Sequence, residues 1–309
     1  MGAPMAKNLR SALRYVDKKK YLYIMLIPGV LYFLIFNYVP MYGVLIAFKD
    51  FNFNKGILGS AWIGFENFRY MFGLSDFYTV FWNSLILSFL KLLFGFPFPI
   101  LLAIFLNEMR SRTYQRFTQT LIYLPHFISW VIIGGILVNF LSPTWGVLNI
   151  FLGQLGIDPI FFLADESYFR PIVVLSSIWK DSGWESIIYL AAIASVNTEL
   201  YEAASMDGAG RLRRIWHITL PGIKSTIIVL LILRLGHIMN NGFEQIFVLQ
   251  NQMNLGVSEV FETYAYRVGI LGGRFSFGTT VGLFTSVIGL IFLLASNRIA
   301  KWMKEDGIW

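Results

Sequence analysis

The chain has 309 residues, of which 56% are hydrophobic and 14% are charged. Soluble domains carry roughly 25% charged residues, so the composition indicates a membrane protein and argues against an ordinary soluble enzyme. The net charge of +7 does not indicate nucleic-acid binding, because the Lys and Arg residues lie mainly in the gaps between apolar segments. The absence of cysteine excludes disulfides, thiolate metal sites and cysteine nucleophiles.

Six apolar segments predict an all-α integral membrane protein with six transmembrane helices, since a helix needs about 20 residues to cross the hydrocarbon core. The segments are, in chain order, 21–48, 77–106, 117–141, 171–196, 225–249 and 276–297. The first is too long for a signal peptide and lacks a small-residue cleavage site. We therefore expect it to stay in the membrane, ahead of a core bundle formed by residues 77–297.

The distribution of basic residues predicts which side of the membrane each gap occupies. An even number of spans places both termini on one side. The gaps on that side are 1–20, 108–116, 197–224 and 298–309, and they hold sixteen Lys and Arg residues. The opposite gaps, 49–76, 142–170 and 250–275, hold six. The positive-inside rule therefore predicts cytoplasmic termini, a cytoplasmic segment 197–224 and a long extracytoplasmic loop at 49–76.

The polar segment 197–224 separates the fourth and fifth predicted spans. It predicts two short helices, 198–207 and 211–220, joined by a turn at Gly208 and Gly210. The second helix has an apolar face that includes Leu212 and Trp216. The residue pattern is equally consistent with an amphipathic loop resting on lipid headgroups and with a docking surface for another protein.

Motifs in this segment resemble the EAA motif of ABC importer permeases. The matching positions are Glu202, Ala203, Ala204, Asp207, Gly208, Leu220 and Pro221. Further stretches at 37–40, 123–129 and 179–184 look like the sugar-permease branch, which is related to the maltose-type permeases. The resemblance covers about residues 20–300 and includes the residues that connect the predicted spans.

The resemblance implies a type I ABC importer permease fold in the bacterial cytoplasmic membrane. It implies that 197–224 is a coupling loop that docks on a cytoplasmic ATPase and that this chain is a transport subunit, not an enzyme. The implied partners are a second homologous permease, two ATPase subunits, an extracytoplasmic solute-binding protein, membrane lipid and an oligosaccharide. The chain lacks a Gly-x-x-x-x-Gly-Lys-Ser/Thr motif, so we expect it to bind no cofactor and the ATPase subunits to hold ATP and Mg²⁺.

Polar side chains inside the fourth and fifth predicted spans are candidates for a substrate pathway, because ionisable groups are costly in lipid. They are Lys180, Asp181, Trp184 and Glu185 in the fourth span, and Arg234, His237, Asn240, Asn241 and Glu244 in the fifth. The spacing in the fifth span predicts one polar face over three helical turns. The charges could instead pair with one another, for example Asp181 or Glu185 with Arg234.

A third group of polar residues lies in the second predicted span. Lys91 follows Ser84 and Ser88 at helical spacing. Its side chain could face the same pathway or snorkel toward an edge of the membrane, and the sequence favours neither.

The maltose-type resemblance implies substrate contacts near Lys180, Asp181, Trp184, Arg234, Ile238 and Asn241. The Lys and Arg depart from that family, and we expect a cationic lining to suit an acidic, uronate-containing oligosaccharide. The alternatives are a permease for another polar nutrient and an intramembrane enzyme with carboxylate or histidine acid–base groups. No spacing typical of a nucleophile or a metal site supports the enzyme, and we expect no bound metal.

Overall fold

The computed structural model describes residues 18–302 and residue 307, and it is predominantly helical. Most of the predicted basic N-terminus, 1–20, and of the tail after residue 302 therefore lies outside the described residues. A two-stranded antiparallel ribbon, β1 (Lys49–Asp50) and β2 (Ala61–Trp62), lies in the predicted loop 49–76.

The helices that carry the fold follow one another along the chain, with the longest connections at 49–74 and 141–165. They are α1 (Lys20–Phe48), α2 (Ser75–Asn107), α3 (Arg112–Phe127), α4 (Trp130–Phe140), α5 (Glu166–Ala194), α6 (Thr198–Met206), α7 (Arg211–Gly222), α8 (Lys224–Gly236), α9 (Phe243–Leu249), α10 (Phe261–Tyr264 with the π-helical turn Ala265–Leu271) and α11 (Phe275–Trp302). Shorter helices lie at Gly56–Gly59, Glu66–Phe72, Val147–Gln154 and Leu255–Ser258.

Helix length and composition support a multi-pass membrane protein. Within residues 18–302, α1, α2 and α11 are each long and apolar enough to cross a membrane, and the bent pairs α3–α4 and α7–α8 raise the count to five. Helix α5 has 29 residues, which is roughly 43 Å at 1.5 Å per residue. It carries several charges near its middle, so its membrane crossing and the predicted total of six spans stay predictions.

The third predicted span, 117–141, is not one helix. Helices α3 and α4 meet at an angle of 97°. Pro125 lies in a tight 3₁₀ turn at the end of α3, Ile128 is extended, and the Ser129 hydroxyl accepts a hydrogen bond from the backbone N–H of Ile132 (3.4 Å) at the start of α4. The predicted span is therefore a pair of helices joined at a bend, because proline and serine end one helix and cap the next.

The fifth predicted span, 225–249, is also interrupted. Helix α8 ends at Gly236 and α9 begins at Phe243, with Gly242 at a φ of +84° that favours glycine. The four residues predicted to share one helical face, Arg234, His237, Asn241 and Glu244, therefore do not share it. The prediction of a continuous polar face was wrong, although the same residues surround the break.

Buried side chains hold α2 against most of the bundle. Phe77 packs in a cluster with α10 and α11, Leu87 packs with α5 and α9, and Ile104 packs with α5 and the start of α8. Helix α1 contributes little to this core, because residues 20–42 are exposed and Ala47 near its end is buried. The bundle of α2 to α11 therefore positions the polar residues, residues 20–42 of α1 lie outside it, and the end of α1 packs against α11.

Glycine at the crossing of α3 and α5 provides a test of this packing. A Cβ at Gly183 would collide with the backbone carbonyl of Ile122, whereas a Cβ at Gly282 of α11 would meet open space. We expect Gly183→Ala to lower the free energy of unfolding by about 1–3 kcal/mol through overpacking. Gly282→Ala, the matched control, should be neutral or stabilising. Thermal unfolding of the purified protein in detergent checks this, and equal stability of the two variants would contradict the crossing.

Candidate functional site

A cavity of about 230 Å³ lies between α2, α5 and the break that follows α8. The predicted pathway residues that line it are Asp181, Glu185, Arg234, His237, Asn240 and Asn241. Polar lining residues that were not in the predicted set are Ser88, Lys91, Ser177 and Gln245. The cavity wall thus combines charged groups from three separate parts of the chain.

An ion pair joins the two long walls of this cavity. Arg234 of α8 donates from Nη1 to Oε1 of Glu185 on α5 at 2.8 Å, and their side chains are 40% and 36% exposed. This is one of the two pairings that the sequence left open. Because both side chains also line the cavity, pairing and a pathway role do not exclude each other.

Lys180 lies away from the cavity, at the bend between α3 and α4. The residue is 7% exposed, and its Nζ donates to the carbonyl oxygens of His126 at 2.6 Å and Ile128 at 2.7 Å. These carbonyls lie where α3 ends and lack helical partners, so a cation is favourable there. The structure therefore places Lys180 as a cap of the bend, not in the cavity wall.

His126 contacts both Trp184 and Asp181. The His126 ring stacks parallel on the Trp184 ring, with centroids 4.9 Å apart. Its Nδ1 lies 3.1 Å from Oδ1 of Asp181. Asp181 lines the cavity, while Trp184 is half-exposed beside it and Glu244 is exposed elsewhere. One face of the Trp184 ring is therefore covered by the His126 ring.

Asn241, in the break after α8, forms hydrogen bonds to residues of α2 and α10 through both its backbone and its side chain. It is 2% exposed, its N–H donates to Oε1 of Glu262 at 2.6 Å, and its carbonyl accepts from Lys91 Nζ at 2.8 Å. Its side chain bonds the Ser88 hydroxyl at 3.1 Å and donates to the Ser84 carbonyl at 3.3 Å. Asn241 therefore holds the break in place, and the exposed Asn240 next to it faces the cavity.

The sequence did not single out Lys91 or Glu262 as residues of the candidate site. The helical spacing of Lys91 after Ser84 and Ser88 was the available signal, and the structure directs all three toward the break. Glu262 lay in a predicted connection, where a carboxylate is ordinary, so no pattern marked it. In residues 18–302, no group of three or more His, Asp and Glu is arranged to hold a metal ion.

The polar segment forms a compact helical hairpin, residues 197–222, built from α6 and α7. Gly208 turns the chain with a φ of +77°. The Tyr201 hydroxyl lies 3.0 Å from that of Thr219, and Arg214 donates to the Ser205 hydroxyl at 2.9 Å. The predicted pair of helices is confirmed, and these hydrogen bonds connect the two helices across the hairpin.

The hairpin presents an apolar surface and is tied to the membrane helices. Met206 at its tip is 89% exposed, and Leu212 and Trp216 on α7 are also exposed. At its base, Gly222 packs against Val196, and the next residue is buried in the cluster shared with α2 and α5. Of the motif residues, Glu202, Ala203, Asp207, Gly208 and Pro221 are exposed, and Ala204 and Leu220 are partly covered.

Comparison with known proteins agrees with this architecture. The sequence profile of the family described as "binding-protein-dependent transport system inner membrane component" matches residues 95–305. Protein LplB of Bacillus subtilis (strain 168) is 51% identical over 294 residues, 95% of this chain and 92% of LplB. The polygalacturonan/rhamnogalacturonan transport system permease protein YteP of the same strain is 49% identical over 292 residues, 94% of this chain and 91% of YteP.

A solved structure extends the likeness to three dimensions. One chain of a bacterial ABC transporter involved in the import of the acidic polysaccharide alginate is 44% identical, with a TM-score of 0.88 over 96% of this chain and 100% of that one. The resemblance to sugar permeases of type I ABC importers is thereby confirmed. The chain belongs to the family of inner-membrane components of binding-protein-dependent transport systems, as a membrane-spanning transport subunit.

Proposed function

We propose that this chain forms half of the translocation pathway of an ATP-driven importer for acidic, uronate-containing oligosaccharides. The observation that carries the proposal is the position of the charged cavity. Its walls are α5 and α8, which are joined by the Arg234–Glu185 pair. The same two helices enter and leave the hairpin 197–222, so a force on the hairpin reaches the cavity through them.

The exposure of the cavity charges supports a wet pathway shared with a second subunit. Asp181, Glu185 and Arg234 have side chains that are about one-third or more exposed, and such groups do not face lipid. This chain supplies one wall of the cavity. A second, homologous permease supplies the opposite wall, and alternating access arises as the two bundles rock about the charged region.

The proposed substrate class rests on the names of similar transporters and on the Arg234 guanidinium in the cavity wall. The names of YteP and of the alginate transporter refer to polysaccharides whose uronate groups carry carboxylates. In the described cavity wall, Lys91 and Arg234 are balanced by Asp181 and Glu185, so net charge does not select an anion. Arg234 is half-exposed and has more donors than its one bond to Glu185 uses, and guanidinium binds carboxylates in bidentate fashion.

The other partners follow from the hairpin and the family. The exposed Met206, Leu212 and Trp216 suit a groove on an ATPase subunit, and two such subunits hold ATP and Mg²⁺. A solute-binding protein delivers the oligosaccharide from the other side. The positive-inside count supports a cytoplasmic position for the hairpin and both termini, with the chain in a bacterial cytoplasmic membrane.

Two changes in the hairpin test the coupling role. Gly208→Val forces a β-branched residue to a positive φ, which costs about 1–2 kcal/mol or more, and Glu202→Lys reverses an exposed charge. We expect both variants to reach the membrane and to lose most ATP-driven uptake. Gly210→Val, at an ordinary φ of −65° and in open space, is the matched control. Uptake of oligosaccharide into vesicles is the measurement, and wild-type rates for Gly208→Val and Glu202→Lys would contradict docking.

The role of Arg234 is tested with a paired set of variants. Arg234→Gln combined with Glu185→Gln removes the ion pair without leaving a lone charge, whereas Glu185→Gln alone frees Arg234. We expect the double variant to lose about tenfold or more in uptake of a short oligogalacturonate, since a hydrogen bond to a charged group contributes about 1.5–3 kcal/mol. Glu185→Gln should retain that uptake.

Uptake of a neutral oligosaccharide of equal length is the control for this set. The wild-type complex should transport it poorly, and the double variant should not lose further activity toward it. A wild-type preference for the neutral sugar would refute the substrate class. An unchanged preference for the acidic sugar in the double variant would refute the role of Arg234.

A further inference from the structure

The break between α8 and α9 leaves backbone groups without helical partners in the middle of the bundle. Inside a membrane, such groups are tolerated where they are satisfied by protein or line a water-filled cavity. Here the segment 237–242 does both: His237, Asn240 and Asn241 line the cavity, and Asn241 is also buried and bonded to protein groups. The direction in which the cavity-lining side chains point therefore depends on what holds Asn241.

Two oppositely charged side chains hold the backbone of Asn241, each on the matching group. The Lys91 ammonium of α2 donates to its carbonyl at 2.8 Å, and the Glu262 carboxylate of α10 accepts from its N–H at 2.6 Å. Charge-assisted hydrogen bonds of this kind are about twice as strong as neutral ones. The cation thus takes the place of a missing N–H donor, and the carboxylate takes the place of a missing carbonyl.

The same two side chains belong to a larger network that fixes their own positions. Lys91 also donates to Oε1 of Gln245 at 2.7 Å, and the amide of Gln245 donates to the carbonyl of Val173 on α5 at 2.7 Å. The hydroxyl of Ser84 accepts from the N–H of Phe261, the residue before Glu262, at 3.0 Å. Helices α2, α5, α9 and α10 therefore share one frame, to which Asn241 is attached.

The side-chain pattern of this segment shows what the attachment prevents. Arg234, His237, Asn241 and Glu244 are spaced so that a continuous helix would place them on one face. A helix closed through 237–242 would satisfy its backbone internally and would turn His237 and Asn240 to new directions. The charged contacts to Asn241 compete with that closure.

We infer that Lys91 and Glu262 are positioning residues of the translocation pathway, which clamp Asn241 from both sides and thereby direct His237 and Asn240 into the substrate cavity. This inference rests on the proposed function, because the cavity is taken as the substrate pathway. Glu262 is not among the residues that line the cavity, and the Lys91 ammonium, although Lys91 lines the cavity, is bonded to Asn241 and Gln245. Their effect reaches the substrate through the orientation of the segment that they hold.

An introduced thiol reports that orientation directly. The chain contains no cysteine, so Asn240→Cys supplies its single thiol on the cavity wall. In the assembled complex with a wild-type clamp, a charged methanethiosulfonate reagent should modify this thiol, and a short oligogalacturonate supplied by the binding protein should slow the modification about tenfold by occupying the cavity.

The clamp is then removed without leaving a lone buried charge, by combining Lys91→Met with Glu262→Gln in the Asn240→Cys chain. We expect substrate protection of the thiol to disappear and the apparent KM for oligogalacturonate uptake to rise about tenfold, since the charged bonds are lost. The variant should still assemble, with a lower thermal unfolding temperature because the backbone groups of Asn241 lose their charged partners. Protection and KM are therefore measured in the assembled complex. In the Asn240→Cys chain with Glu262 unchanged, Lys91→Arg keeps a cationic donor and should retain substrate protection of the thiol.

Controls separate the clamp from general loss of charge and from failure of the proposed function. Lys55→Met and Glu66→Gln remove exposed charges in the loop 49–76 and should leave protection and KM unchanged. Full protection in the variant without the clamp would overturn the inference, as would a loss of assembly in that variant with normal KM in the remaining complex. If the complex with the unsubstituted chain does not transport oligogalacturonate, the proposed function fails instead.

Discussion

The structure depends on satisfying backbone groups that two helix breaks expose within the membrane bundle. At the bend between α3 and α4, the carbonyls of His126 and Ile128 lack helical partners, and the Lys180 ammonium of α5 donates a hydrogen bond to each. At 237–242, between α8 and α9, Lys91 and Glu262 serve the carbonyl and the N–H of Asn241. An unsatisfied group at such depth costs several kcal/mol, so these side chains are required by the backbone that they contact.

This requirement divides the charged residues inside the bundle into two kinds. Lys180, Lys91 and Glu262 serve the backbone, and their positions follow from the breaks. Asp181, Glu185 and Arg234 are half-exposed, pair with side chains and line the cavity. An ionisable residue within an apolar segment is thus a candidate for function, but its backbone environment decides whether it meets substrate.

The apolar pattern predicted the fold class and most of the helices, because the lengths of α1, α2 and α11 follow from hydrophobicity alone. The hairpin was also predictable, since Gly208 and Pro221 mark its turn and its end. The breaks were not predicted, because 117–141 and 225–249 read as continuous apolar windows. Pro125 and Gly242 are each compatible with a kinked helix, and only the distant Lys180, Lys91 and Glu262 reveal that the chain is interrupted there.

The same helix breaks relate the ATPase-docking hairpin to the cavity that is proposed to select the substrate. Helices α5 and α8 join the hairpin to a charged cavity, and the interruption after α8 lets amide and imidazole groups face that cavity beside Arg234. A cavity of this kind, in a chain so similar to permeases named for acidic polysaccharides, is expected to pass uronate-containing oligosaccharides toward the cytoplasm.

The most direct measurement is the identity of the cargo. The complex that contains this chain is purified with its solute-binding protein, and mass spectrometry identifies the oligosaccharide that the binding protein carries and releases when ATP is added. The account predicts a uronate-containing oligosaccharide. A neutral oligosaccharide, or a cargo of another chemical class, would contradict it.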